Sequence, residues 1–289
     1  MANGWWKGGG RVAASVAQPY HAPMTVTQRS LRVAGVDVRI DEPDGAKPQD
    51  TLVFLHGWPD SADLWSATVA ALAPRWRCVR FTWPGFGADD PPQERNLRQL
   101  TDLLHAMVGA CGEGWPVTLV AHDWGCVWGY HYARTRPQHV QRVVGVDVGD
   151  AGSPVHRGEL GWRAKLGILA YQGWLALAWR VGGERGDRMA RGMARRMKVP
   201  LKPERIHARM GYPYWATWTG GYKAIKPFDP TVPMLYVFGK RKPFQFQSRA
   251  WCQSLAARPG CAVVPFDTGH WVMKDAPQRF QKVLADWLA

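Results

Sequence analysis

Apolar and polar positions divide this chain into stretches with different rhythms. Thr25 to Val33 and Val36 to Glu42 alternate side by side, as in two antiparallel strands joined at Ala34-Gly35. Beyond the loop Pro43 to Asp50 the pattern changes to short runs of strand-forming residues: Thr51-Leu-Val-Phe-Leu55, Cys78 to Phe81, Val117-Thr-Leu-Val-Ala121 and Val140 to Val148. Runs that are apolar throughout suit strands buried on both faces of a parallel sheet. Helical stretches separate them: Ala62 to Ala73, the series Leu97, Leu100, Leu104 and Met107, and Cys126 to Ala133. Strand and helix alternating at short spacing predict a mostly parallel, doubly wound α/β sheet with ligands outside the carboxyl ends of its strands.

From about Ala151 to Pro230 the strands stop. Leu166 to Trp179 is apolar and helical, and an aromatic cluster runs from Gly211-Tyr-Pro-Tyr-Trp-Ala-Thr-Trp218 to Tyr222. Strands resume at Met234 to Gly239 and Ala262 to Phe266, and a last helix carries Phe280, Val283, Leu284 and Trp287 at core spacing. The expected organisation is a loosely ordered segment 1–24, a core formed by 25–150 and 231–289, and a helical cap 151–230 inserted after the sixth strand.

Composition narrows the class. A chain of 289 residues, 46% hydrophobic and 21% charged, suits one soluble catalytic domain with an inserted subdomain. Five scattered cysteines (Cys78, Cys111, Cys126, Cys252, Cys261) lack metal or redox spacing and point to a reducing compartment. No apolar run reaches the roughly 18 residues of a membrane span. The N-terminus has no proper apolar stretch after Lys7, so the expectation is a cytoplasmic protein without a membrane partner. The net charge is +14, and residues 163–209 hold twelve Lys or Arg against three acids. Nothing there matches a nucleic-acid module, so the basic stretch reads as a solvated face and no nucleic-acid partner is expected. Seventeen tryptophans, several beside the motifs below, would wall a site for an apolar substrate.

The strand at Val117 runs into Ala121-His-Asp-Trp-Gly125 and then a helix. Small residues on either side of a sharp strand-to-helix turn are the signature of a nucleophile elbow, here with Asp123 at its centre. An Asp at a strand end is also commonly a plain helix N-cap. As a nucleophile, a carboxylate attacks saturated carbon and forms an alkyl ester. The third strand ends in His56-Gly-Trp-Pro-Asp60, where Gly and Pro bracket Trp58. The Trp58 and Trp124 backbone N–H groups together would make an oxyanion hole. After the last strand comes Asp267-Thr-Gly-His270-Trp.

With these stations in this order the chain resembles the α/β-hydrolase superfamily, and within it the epoxide hydrolase and haloalkane dehalogenase branch, over roughly residues 30 to 289. The resemblance implies the α/β-hydrolase fold, Asp123 as nucleophile and His270 as the base that activates water. It implies ring opening of an epoxide to a covalent ester on Asp123, then hydrolysis to a vicinal diol. Cap tyrosines would donate to the leaving oxygen: Tyr171, Tyr212, Tyr214 and Tyr222 are candidates, with Tyr214 and Tyr212 favoured. Many relatives place the acid that orients the histidine after the post-cap strand, but that segment is Gly239-Lys-Arg-Lys242. Another branch of the family keeps its acid at the end of the strand after the elbow helix. Ungapped spacing from Asp123 puts Asp147 at that place, with Asp150 just beyond as the reserve. A histidine without an acid partner stays open.

Two alternatives stay open. A haloalkane dehalogenase would use the same Asp123 and His270 and hold halide through the Trp124 indole. A ligand-binding member with little turnover is the other. The substrate is expected to be a small apolar or anionic organic molecule, the latter steered by the basic cap, with water as co-substrate. No metal or organic cofactor is implied.

Overall fold

The computed structural model describes residues 25–111 and 116–289; the expected loose segment 1–24 lies outside them. Eight strands form one sheet: β1 (Val26–Val33), β2 (Val36–Pro43), β3 (Thr51–Leu55), β4 (Arg77–Phe81), β5 (Val117–His122), β6 (Val140–Val146), β7 (Met234–Gly239) and β8 (Ala262–Phe266). They lie side by side in the order β1-β2-β4-β3-β5-β6-β7-β8. The β1–β2 hairpin, turning at Ala34-Gly35, is antiparallel and meets β4 antiparallel. All pairings from β4 to β8 are parallel.

Among the described residues ten α-helices connect and cover these strands: α1 (Ser66–Leu72), α2 (Leu97–Cys111), α3 (Trp124–Thr135), α4 (Pro154–Glu159), α5 (Trp162–Val181), α6 (Gly183–Arg196), α7 (Tyr212–Thr219), α8 (Arg249–Ala256), α9 (Val272–Asp275) and α10 (Pro277–Leu288). The period of two in β3 divides its side chains between two apolar cores. Val53 and Leu55 pack with α2 and α3, whereas Leu52 and Phe54 face α1 and α10. Helices on both faces are why β3, β4 and β5 are buried at every residue.

The insertion between β6 and β7 contains α4 to α7 and no strand. The parallel register matters most for the site. Leu55 pairs with Ala121, and His122 pairs with Val146, so the chain leaves β3, β5 and β6 at one edge of the sheet. Trp58, Asp123 and Asp147 follow within three residues of those strand ends. The sixth strand stops two residues short of the expected Val148, because Asp147 turns into the left-handed region with φ 68.

Candidate active site

The elbow is built by two glycines. Asp123 links β5 to α3 with φ 54 and ψ −124, a conformation that costs a non-glycine residue of order 1–3 kcal/mol. A Cβ at Gly125 would lie 2.5 Å from the Leu55 carbonyl oxygen, and one at Gly57 would lie 2.3 Å from Asp123 Oδ1. The elbow and the 56–58 loop therefore interlock only while both positions lack side chains. Asp123 occupies the N-cap position of α3, yet its side chain makes no capping hydrogen bond. The carboxylate is turned elsewhere: Oδ1 accepts the Trp58 N–H at 2.7 Å, and Oδ2 stands 3.4 Å from His270 Nε2. Burial would raise the Asp123 pKa, but the His270 side chain and the Trp124 N–H hold it below its ordinary value.

His270 lies between two carboxylates. Its Nδ1 is in short contact with Asp147 Oδ2, opposite the Nε2 that faces Asp123. Asp147 is fully buried and also accepts the Gly239 N–H through Oδ1 at 2.8 Å. Its second charged partner is Lys242, whose Nζ is 2.6 Å from Oδ2 and 5.3 Å from the Phe246 ring centre. Burial pushes the Asp147 pKa up, but Lys242 and His270 outweigh it and keep the group ionised. Burial pulls the Lys242 pKa down against the attraction of Asp147. For His270 burial would lower the pKa, yet Asp147 and then Asp123 carry it up to about 9. In the free protein at neutral pH this side chain is an imidazolium flanked by two carboxylates.

A second tier of buried polar groups fixes the loops. The Trp83 N–H donates to His56 Nε2 at 3.0 Å, so His56 carries its proton on Nδ1, 3.0 Å from the Gly57 carbonyl. Burial holds His56 neutral with a pKa of about 4. His122 is also kept neutral, by burial and then by the His270 charge, at about 3, and its Nε2 meets the His270 carbonyl at 3.1 Å. Asp60 accepts the Trp271 indole N–H at 2.8 Å, tying the loop after β3 to the loop that carries His270. Burial raises the Asp60 pKa to about 7, and the nearby Asp123 charge adds to that.

Above the carboxylate the walls are aromatic. The Tyr214 ring centre lies 5.3 Å from that of Trp124, 5.8 Å from that of Trp58 and 5.9 Å from that of Tyr171. Phe244 stacks on Tyr171, and Phe246 stands edge-on to His270. Burial raises the pKa of both Tyr214 and Tyr171, and both also sense the Asp123 charge. Tyr212, expected in the site, is placed elsewhere: it stacks on Trp128, meets Phe86 edge-on, and lies against Gly85. Two residues apart on α7, Tyr212 and Tyr214 project to different sides. Tyr222 packs against Trp124, with its hydroxyl near Trp128. Asp150, the reserve acid, accepts from Ser153 Oγ and from the N–H and Oγ of Ser248. It ties the capping serines of α4 and α8 together, while Asp147 takes the histidine.

The residue types were readable, but two partners were not. Lys242 stands where an acid was sought, and nothing in the sequence pointed to its contact with Asp147. Asp60 sits inside the His56 motif, and its proximity to Trp271 spans 211 residues of chain. Among the described residues no group of three His, Cys, Asp or Glu side chains is placed to hold a metal ion.

An elbow after β5, a histidine after β8 and a cap between β6 and β7 define a class that comparison with known proteins identifies. The family model described as "Alpha/beta hydrolase family" matches residues 52–283, and the chain belongs to that family. It is similar to a haloalkane dehalogenase loop variant from Bradyrhizobium elkanii, with TM-score 0.66, 18% identity, and coverage of 91% of this chain and 96% of that one. Epoxide hydrolase A from Mycobacterium thermoresistibile gives TM-score 0.64, 20% identity, and coverage of 91% and 98%. These likenesses establish the shared fold. In sequence, a "Probable oxidoreductase EphD" of Mycobacterium tuberculosis is 34% identical over 132 residues, 42% of this chain and 21% of that protein. A cis-3-alkyl-4-alkyloxetan-2-one decarboxylase of Xanthomonas campestris is 30% identical over 110 residues, 35% of this chain and 37% of the other. These two matches thus span well under half of either relative's length.

Proposed function

We propose that the protein hydrolyses epoxides to vicinal diols through a covalent ester on Asp123. The observation that carries this reading is the Asp123 carboxylate itself: at an elbow, uncapped, with one oxygen held by the Trp58 N–H and the other facing His270. Asp123 attacks one ring carbon, the carbon–oxygen bond breaks, and the leaving oxygen takes a proton from a tyrosine hydroxyl. Tyr171 accepts a hydrogen bond from Gln172 Nε2 at 3.3 Å, which leaves its own O–H to donate. Tyr214 stands edge-on to Trp124 with ring centres 5.3 Å apart. This revises the expected pair Tyr214 and Tyr212 to Tyr214 and Tyr171.

Ester formation removes the Asp123 charge, and with it one of the two influences that hold the His270 proton. The imidazolium then passes its proton to the tyrosinate left by ring opening, which restores the tyrosine and leaves neutral His270 able to act as base. Neutral His270 takes a proton from water as the water oxygen bonds to the ester carbonyl. The oxyanion forms at the oxygen held by the Trp58 and Trp124 N–H groups. Collapse breaks the ester carbon–oxygen bond, and the departing diol oxygen takes the proton from His270. The Asp123 carboxylic acid that remains gives its proton to His270, restoring the carboxylate and the imidazolium.

One observation favours a second reading, haloalkane dehalogenation. The Trp58 indole Nε1 is buried without a hydrogen-bond partner among the described residues, and two indoles near Asp123 would suit a departing halide. Intact-protein mass spectrometry on His270→Gln separates the readings, because loss of the base stalls the second step. The proposal expects an adduct of the whole epoxide. An adduct of the alkyl group alone, with bromide released from a bromoalkane, makes the protein a dehalogenase. No adduct from either class, with parent enzyme also inactive, overturns both in favour of a ligand-binding role.

A further inference from the structure

We propose that the outer face of the cap docks on an anionic lipid surface, with α5 lying in the headgroup plane and the arginines of α5 and α6 against lipid phosphates. The inference does not depend on the reaction proposed above.

The apolar half of the argument is a stripe on α5. Trp162, Leu166, Leu169, Leu177 and Val181 are exposed by 67, 57, 52, 49 and 47%, and their spacings keep them along one side of the helix. Trp174 and Trp218 widen it, exposed by 44 and 55%, with Trp218 lying beside Gly173 of the same helix. Among the described residues only Val26 and Val155 of the exposed large hydrophobics lie outside this patch. Single exposed apolar side chains are ordinary, whereas a contiguous row along a helix about 30 Å long marks a surface that something covers. The other side of α5 is already used, with Leu175 and Ala178 buried in the core and Tyr171 over Asp123.

Charge identifies what covers it. Arg163, Lys165 and Arg180 on α5, and Arg185, Arg188, Arg195 and Arg196 on α6, are exposed. Of these only Arg188 is seen in an ion pair among the described residues, a 3.6 Å contact with Glu184. Trp174 donates its indole N–H to the Met189 carbonyl of α6 at 3.1 Å, so the apolar stripe and the cationic helix are adjoining parts of one surface. A second copy of the chain would bring the same cations against their like. A bilayer with anionic headgroups satisfies both halves: acyl chains take the apolar side chains, phosphates take the arginines, and indoles favour the boundary between them. No described helix is long and apolar enough to cross a membrane. A helix lying on the surface needs only one apolar face, so the expected lack of a membrane partner, which rested on the missing span, does not bear on it.

The test is co-sedimentation of the full chain with phosphatidylcholine vesicles, with and without about 30% phosphatidylglycerol, at low and high salt. We expect partition to the anionic vesicles at least about tenfold above the neutral ones, weakened by salt and not abolished. Leu166→Gln with Leu169→Gln should lower the partition about tenfold or more while leaving the circular dichroism and melting curve in place. Arg195→Gln with Arg196→Gln should reduce the preference for anionic lipid. The proposal is overturned by equal binding to both vesicles, by no binding to either, or by undiminished binding of the leucine variant. It is also overturned if Trp5→Ser with Trp6→Ser removes binding, which would transfer it to the N-terminal segment. A dimer in sedimentation velocity that the leucine changes dissociate would assign the face to a second copy.

Discussion

Two aspartates end adjacent parallel strands of this sheet, and the contrast between them locates the chemistry. Asp123 follows β5 and Asp147 follows β6; both have positive φ and both are held ionised against burial. Their surroundings differ in access. The Asp147 side chain is wholly enclosed and divides its oxygens among the Gly239 N–H, His270 and Lys242. The Asp123 side chain keeps 16% of its surface, takes a backbone N–H on one oxygen, and stands 3.4 Å from His270 Nε2 on the other. A carboxylate surrounded by donors orients its neighbour, whereas one with an open side can attack. Under the proposed function the same residue type would take two roles according to how many lone pairs the fold leaves free.

On that proposed division, Asp147→Asn produces the largest break. The amide cannot hold the imidazolium and leaves Lys242 buried without its counter-charge, a loss of about 3–5 kcal/mol by analogy with other broken buried pairs. The double variant Asp147→Asn with Lys242→Met removes the stranded charge and should melt near the parent. Turnover of that folded double variant should still fall about 10³-fold, as expected when a histidine loses its orienting acid. Parent-like turnover there would mean that Asp147 serves packing alone.

A smaller effect should follow at the tyrosines, which sharpen the open side of the comparison. Tyr214→Phe or Tyr171→Phe should each slow ester formation from an epoxide about 10–100-fold in stopped-flow measurements. Bromide release from a bromoalkane, if it occurs at all, should change little, because halide leaves without a proton. Tyr212→Phe should leave both rates in place, since its hydroxyl is buried beside Phe86 and Trp128. Equal losses in all three variants would refute the assignment of Tyr214 and Tyr171.

The parallel sheet, the elbow and the order of Asp123 and His270 were legible because each depends on local signals: apolar runs, glycines at tight approaches, and a carboxylate at a strand end. Asp147 was reachable through the family resemblance, which points to the end of the strand after the elbow helix, and that strand, β6, lies beside β5. The tyrosines were harder, since their position depends on how α5 and α7 pack. Even so, reading Tyr212 to Trp218 as a helix would have separated Tyr212 from Tyr214. Lys242 was not legible, because a lysine is rarely enclosed and only the fold shows that Asp147 lies within its reach. The exposed stripe on α5 was hidden for the opposite reason: apolar helical residues in a sequence look like core until the structure shows which face stays uncovered.

The finest test of the two-aspartate comparison is the pH dependence of the second step in Lys242→Met. In the ester the Asp123 charge is gone, so the His270 pKa falls from about 9 and is set mainly by burial, which lowers it, and by Asp147, which raises it. Lys242 offsets part of the Asp147 charge at 2.6 Å. Replacing it with methionine, similar in length and apolar, lets Asp147 act on the imidazole at full strength and raises the His270 pKa further. Water activation needs neutral His270, so the rate of ester decay increases as pH rises through that pKa. The acid limb should therefore move to higher pH by about one unit, with decay about tenfold slower below the limb and unchanged above it. The same logic applies to folding. A histidine raised above its unfolded value contributes stability that is full below about 6.5 and is lost as pH rises through about 9. Lys242→Met should move the upper end of that loss to higher pH as well. A limb that stays in place, or that moves to lower pH, would show that Lys242 only fills space beside Asp147 and has no hand in when the histidine gives up its proton.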